Sequence, residues 1–249
     1  MFEQKYYFSI MNTKIKCMKT IFLSQIDAQN QMPFERGLFE RANKCDEIIL
    51  LIYSWNGNVI STGKLQKHLK IDREKCKKDG VKVIERITGG RAVLHSNDIC
   101  YSISIPQNYV KKTGENLKAA IEAISRPIIK TLADFGVDVD CQAGRKHSLH
   151  SDFCAETQTF GEISVGGKKL VASSQIYTTQ GILQHGTIPI SADYRKICDY
   201  FEGDCEETKN FLQKNTTCLN EICERLKIED FISALARNFE GWANSFFIR

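Results

Sequence analysis

The eleven residues Glu85-Arg86-Ile87-Thr88-Gly89-Gly90-Arg91-Ala92-Val93-Leu94-His95 constrain this chain more than any other stretch. Two β-type runs, Lys82-Val83-Ile84-Glu85-Arg86 and Ala92-Val93-Leu94-His95, are joined through a glycine pair, which predicts a strand, a tight loop and a second strand. Without Cβ atoms, Gly89 and Gly90 allow close approach of the backbone, so their N–H groups can converge on a phosphate, a carboxylate or a developing oxyanion. Arg86 and Arg91 supply charge-assisted donors on either side. A loop between strands differs from a nucleotide P-loop, which leads into a helix and ends in Gly-Lys-Ser/Thr.

The flanking pattern is that of a mixed domain. Pro33 at a first helical turn, followed by Phe34, Leu38, Phe39 and Ala42, predicts a helix over about 33–44. The run from Ile48 to Trp55 reads as a strand, with Asn56-Gly57-Asn58 as a turn and Val59-Ile60-Ser61 as the next strand, a hairpin-like pairing. Period-two alternation from Ile99 to Ile105 predicts a half-buried strand. Leu117, Ile121, Ile124, Ile128, Leu132 and Phe135 recur at helical spacing, giving a helix over 116–135 that Pro127 kinks and Gly136 ends. Gly161 to Ala172 reads as a hairpin turning at Gly166-Gly167, a strand follows over 182–190, and the chain is helical from about 193. We therefore expect an α+β fold, a mixed and largely antiparallel sheet flanked by helices, forming a single domain over 1–249.

Composition narrows the function classes. A net charge of +4 on 249 residues falls well short of the basic stripe a nucleic-acid binder needs, and it suits an acidic protein partner. No run approaches the roughly 18 apolar residues of a membrane span, and the lysine-interrupted stretch from Met1 to Leu23 makes a poor signal peptide, so a cytoplasmic location is expected. The ten cysteines include no Cys-x-x-Cys pair, so neither a zinc ribbon nor a secreted disulfide framework is indicated. Nine of them read as reduced, mostly buried hydrophobes. No metal site is expected.

Four segments, in order, resemble the lipoate-protein ligase and octanoyltransferase family, which shares the biotin/lipoate protein ligase catalytic fold. Asp27-Ala28-Gln29-Asn30-Gln31-Met32-Pro33-Phe34-Glu35 looks like the family's entry into its first helix, with Gln31 in place of the usual Asn. Tyr53-Ser54-Trp55 and Ser61-Thr62-Gly63-Lys64-Leu65-Gln66 look like its Tyr-x-Trp and Ser-x-Gly-x-x-Gln strands. Arg86 to His95 resembles its acyl-binding loop, although Glu85 stands where an arginine is frequent and Ser96 where an aspartate commonly follows the histidine. Gly167 to Gln175 and Gln184-His185-Gly186-Thr187-Ile188 resemble its lysine-bearing hairpin and its His-Gly-Ser/Thr strand.

The resemblance implies an acyl tunnel beneath the glycine loop, with Lys169 directed at the acyl carbonyl or at an adenylate phosphate. It makes Arg86, Thr88, Gly89, Gly90, Arg91, His95, His185 and Gly186 the substrate-binding set. The run from Cys154 to Gln175, with Glu162, Gly167, Lys169 and Ser173, resembles most closely the cysteine-dependent octanoyltransferase branch. In that branch a Cys154 thiolate takes the acyl group from a carrier-protein thioester without ATP. The implied acceptors are lipoyl domains of 2-oxoacid dehydrogenase complexes or the glycine cleavage H protein, with acyl carrier protein as donor. No tightly bound cofactor is implied, the octanoyl or lipoyl group being substrate. Two alternatives stand beside it: a ligase using ATP with magnesium, in which Cys154 is a bystander, and a non-catalytic acyl- or lipoyl-domain-binding relative. The Gly-Arg-Gly-Arg signature of a biotin ligase is absent.

Overall fold

A computed structural model describes residues 18–67, 69–114, 116–140, 162–193, 195–202 and 206–247. Strand β1 (Met18–Ile26) leads into helix α1 (Ala28–Cys45), then β2 (Ile48–Trp55), β3 (Val59–Thr62) and the short helix α2 (Arg73–Lys78). Strands β4 (Lys82–Glu85), β5 (Val93–His95) and β6 (Asp98–Pro106) precede helices α3 (Gln107–Thr113) and α4 (Leu117–Asp134). Strands β7 (Ile163–Val165), β8 (Lys168–Thr178) and β9 (Gly181–Pro189) complete the sheets. A 3-10 turn (Lys196–Tyr200) and helices α5 (Glu206–Asn215), α6 (Leu219–Ile222) and α7 (Ile228–Phe247) follow. The expected α+β class holds.

Six strands form one sheet in the order β1-β2-β6-β9-β8-β7, antiparallel apart from the parallel pair β1 and β2. The unbroken apolar run of β2 is what a strand covered on both faces requires. Ile48, Leu50 and Ile52 pack with Ile124, Ile128, Phe231 and Phe239 of α4 and α7, whereas Ile49, Leu51 and Tyr53 pack with Leu38 and Ala42 of α1. The β6 strand is buried along its whole length, because its second face, carrying Cys100, Ser102 and Ser104, also lies under protein. The half-buried expectation for it was wrong.

A second sheet, β4-β3-β5, carries the glycine loop between β4 and β5. Here the expected pairing of β2 with β3 fails. The turn at Gly57 sends β3 out of the large sheet to pair with β4 and β5, while β2 takes β1 and β6 as neighbours. The first helix begins five residues earlier than expected, at Ala28, with Pro33 inside it. Leu117 lies off the buried face of α4 at 48% exposure, and Ala120, Ala123, Thr131 and Leu132 fill that face beside Ile124 and Ile128. Gly166 and Gly167, both at positive φ, form the expected turn between β7 and β8.

Cys76, Cys100, Cys198 and Cys218 are buried as expected, but Cys45 is exposed at the end of α1. No helix of the described residues is long and apolar enough to cross a membrane.

Candidate active site

Two buried carboxylate–histidine–hydroxyl chains reach the glycine loop, one at Thr88 and one through Ser61, which Arg86 also contacts. In the first, Glu35 on α1 accepts from His185 Nδ1 on β9 at 3.0 and 3.1 Å, and His185 Nε2 lies 2.7 Å from the Thr88 hydroxyl. In the second, Asp98 on β6 pairs with His95 Nδ1 on β5 at 2.6 Å, and His95 Nε2 lies 2.8 Å from Ser61 Oγ on β3. The Thr187 hydroxyl donates to the same Asp98 oxygen. Each histidine therefore has its ring fixed by an acid on one nitrogen and a hydroxyl on the other.

Both acids are buried, and burial alone would raise their pKa values. The neighbouring histidine and the hydrogen bonds around each outweigh it, from Ser102 and Gln31 at Glu35 and from Thr187 and Cys100 at Asp98, so both carboxyls lie below their ordinary values.

Arg86 braces the loop from within. Its Nη1 donates to the Ser61 carbonyl at 2.7 Å and to Ser61 Oγ at 2.6 Å, and its Nη2 donates to the carbonyls of Arg91 at 2.8 Å and Gly89 at 3.3 Å. The expected charge-assisted donors of Arg86 are directed at the loop's own backbone and at Ser61. The guanidinium is the fork around which residues 86–91 wrap, because several convergent carbonyls match its planar set of donors. Ser174 on β8 also donates to the Gly89 carbonyl, at 2.9 Å. Gly90 sits at φ 85° against Ser174 and Arg86. Gly63 has no room for a side chain, since a Cβ there would stand 2.0 Å from the Gly90 carbonyl oxygen. Glu85 is exposed, so solvent screens its charge.

Below the loop lies a cleft bordered by Arg86, Gly90, Arg91, His95, His185 and Gly186. Its other walls include Met32, Tyr53, Trp55, Val93, Cys100 and Ala172. An apolar slot with a few polar groups on its walls suits a short acyl chain ending in a carbonyl. Thr88 is the fully buried residue of the loop, its hydroxyl meeting His185, and Gly186 accommodates the Tyr101 ring, which a Cβ would approach to 2.6 Å. Cys100 borders the slot, but burial, then the Asp98 charge, pushes its thiol well above the ordinary value, so it is a poor thiolate.

Lys169 on β8 is buried and forms an ion pair with Glu162 at 2.5 Å. It borders a second, larger cleft, which shares Val93, Ala172 and Thr187 with the first. The expected lysine and glycine loop are thus brought to adjoining clefts across a common wall. Cys154 lies outside the described residues.

Sequence reading missed Asp98, and it placed Glu35, Ser61, Ser174 and Glu162 inside recognised motifs without giving any of them a partner in this arrangement. A signal existed for Asp98, an acid close after the histidine, where the resemblance directed attention to Ser96. His95, Asp98 and Cys100 also place one potential metal-ligand atom each within 4.8 Å of one another, and the bonds among them are those of a hydrogen-bonded core.

A family model described as the lipoyl protein ligase A/B catalytic domain matches residues 27–240. An octanoyltransferase LipM from Oceanobacillus iheyensis is 31% identical over 201 residues, covering 78% of this chain and 73% of that protein. Another, from Bacillus subtilis, is 28% identical over 238 residues, covering 88% of this chain and 85% of that protein. A lipoate-protein ligase A bound with ATP shares the fold at a TM-score of 0.73 with 16% identity, covering 92% of this chain and 86% of the other. A bi-partite lipoate protein ligase from Thermoplasma acidophilum, described with its E2 lipoyl domain, gives a TM-score of 0.70 at 15% identity, covering 92% and 83%.

Proposed function

Since the chain belongs to the lipoyl protein ligase A/B catalytic-domain family, we propose that it is an acyltransferase that places an octanoyl or lipoyl group on the acceptor lysine of lipoyl domains. The observation that carries this reading is the braced glycine loop over an apolar slot, with the buried Lys169–Glu162 pair across the shared wall. The naming of the sequence relatives as octanoyltransferases favours transfer over ATP-dependent ligation.

The chemistry assigned to the site runs in two halves. The Cys154 thiolate attacks the carbonyl carbon of an acyl thioester, and the carbonyl π electrons move to oxygen. Backbone N–H groups of the Gly89-Gly90 loop and the Lys169 ammonium stabilise that oxyanion, and collapse expels the donor thiolate, which takes up a proton. A neutral acceptor lysine amine then attacks the Cys154 thioester, loses a proton, and releases the Cys154 thiolate as the amide forms. Arg86 and the two histidine chains position the loop. We assign Thr88, Arg91, His95, His185 and Gly186 to the walls of the acyl site on the same reading, and treat the helices after residue 193 as part of one catalytic unit.

The donor in this reading is acyl carrier protein. The acceptors are lipoyl domains of 2-oxoacid dehydrogenase complexes or the glycine cleavage H protein, and a reducing cytoplasm keeps the nucleophilic thiol free. Incubation with octanoyl-acyl carrier protein without ATP, followed by intact mass measurement, tests it. A single octanoyl adduct that disappears in Cys154→Ala and passes to a lipoyl domain is the expected result. An unmodified protein that lipoylates an acceptor domain only with ATP and lipoate would establish the ligase alternative.

A further inference from the structure

We infer that the larger of the two clefts receives the arm of the thioester donor, a neutral pantetheine-type chain, and is the route by which the donor thiol leaves. The inference rests on the thioester-transfer reading above. Its first support is position. The cleft meets the acyl slot at Val93, Ala172 and Thr187, with Lys169 on its wall, so a thioester whose acyl chain lies in the slot would direct its sulfur substituent into this neighbour. An acyl transferase needs two volumes meeting at the reacting carbonyl, one for the chain and one for the leaving group.

The second support is chemical character. Leu94, Ile197 and Leu212 form an apolar floor, while Asn97, Ser191 and Asp193 lie among its polar lining. Asn97 Nδ2 donates to Ser191 Oγ at 2.6 Å, tying the two edges together. Apolar walls with a few amide- and hydroxyl-bearing groups fit a flexible chain punctuated by amides.

Charge separates this occupant from a nucleotide. The charged side chains among the described lining residues are Asp98, Lys169 and Asp193, and the lysine is ion-paired with Glu162. Among the described lining residues, two carboxylates and one ion-paired ammonium favour an uncharged arm over a phosphate.

The test compares octanoyl-pantetheine with S-methyl octanethioate, which offers the same acyl group without an arm, in the full chain and in two single variants. Ala192→Trp and Ser96→Trp each place a bulky ring at the cleft from surface loops, and either alone suffices should the other fail to fold. The native protein is expected to show a KM about tenfold lower for octanoyl-pantetheine than for the armless thioester. Either variant should erase most of that preference. Equal KM values in the native protein, or a preference unchanged in a folded variant, would overturn the inference while leaving thioester transfer intact. Acylation by neither thioester would bring down the transfer reading itself, and the inference with it. Competitive inhibition by AMP would overturn it in favour of a nucleotide cleft.

Discussion

Lys169 and Glu162 meet at 2.5 Å with both side chains almost completely shielded from water. A lone buried charge is costly, whereas each of these two has its counter-ion beside it.

Removing the lysine alone does two separable things. Lys169→Met should destabilise the protein by about 3–5 kcal/mol, because Glu162 is left buried without its cation. It should also lower turnover by at least about a hundredfold, the scale of losing one oxyanion donor. The double variant Lys169→Met/Glu162→Gln should recover most of the stability in urea denaturation and none of the turnover. Recovery of turnover would remove Lys169 from the chemistry.

The Gly63 and Gly90 contact makes a steric expectation. A methyl group at Gly63 cannot coexist with the Gly90 carbonyl oxygen 2.0 Å away, so Gly63→Ala must displace the loop. Transfer should fall at least tenfold with a rise in KM for the acyl donor, since a small misplacement of loop donors weakens both binding and catalysis. Gly57→Ala is the control. Unlike Gly63 it is at positive φ, and its Cβ would meet nothing within 4 Å, so it should lose stability without altering the KM.

Acid sensitivity follows from the two histidine chains. Glu35 and Asp98 ionise below their ordinary values of 4.5 and 3.8, so each contributes stability that is complete above those values and disappears as pH falls through the lowered folded pKa. Glu35→Gln and Asp98→Asn should reduce stability at neutral pH and flatten the steep loss of stability at acid pH. Urea midpoints measured between about pH 7 and pH 3 check this, and an acid limb as steep as the native one in both variants would show that other groups control it.

Cysteine selectivity offers a fourth check. The buried, hydrogen-bonded Cys100 thiol has its pKa raised, so brief iodoacetamide treatment of the folded protein should leave it unmodified. Cys100→Ala should retain the octanoyl adduct in intact mass. Loss of the adduct in that variant, with Cys154 present, would shift the nucleophile to the slot itself.

Local signals in the chain carried much of this. The apolar run of Ile48–Trp55, the helical spacing of α4 and the glycine turns at 166–167 each depend on neighbours in sequence, and each appears where the pattern put it. Pairing partners were another matter. A turn at Gly57 looks the same from the sequence whether the next strand folds back or leaves, and only competition from β1 and β6 for the edges of β2 decided that it leaves.

The site divides in the same way. Glycine pair, arginine, histidines and lysine were legible as residue types in a recognisable order, because the loop's backbone freedom and the available charges are properties of the residues themselves. Their roles were set by distance across the fold. Arg86 became a brace because Ser61 and the loop carbonyls surround it. Glu35 became the partner of a histidine 150 positions away, and the pairing of Lys169 with Glu162 placed it on a second cleft. Hydrogen bonds and buried ion pairs act over a few ångströms, and it is chain packing that brings remote residues within that range.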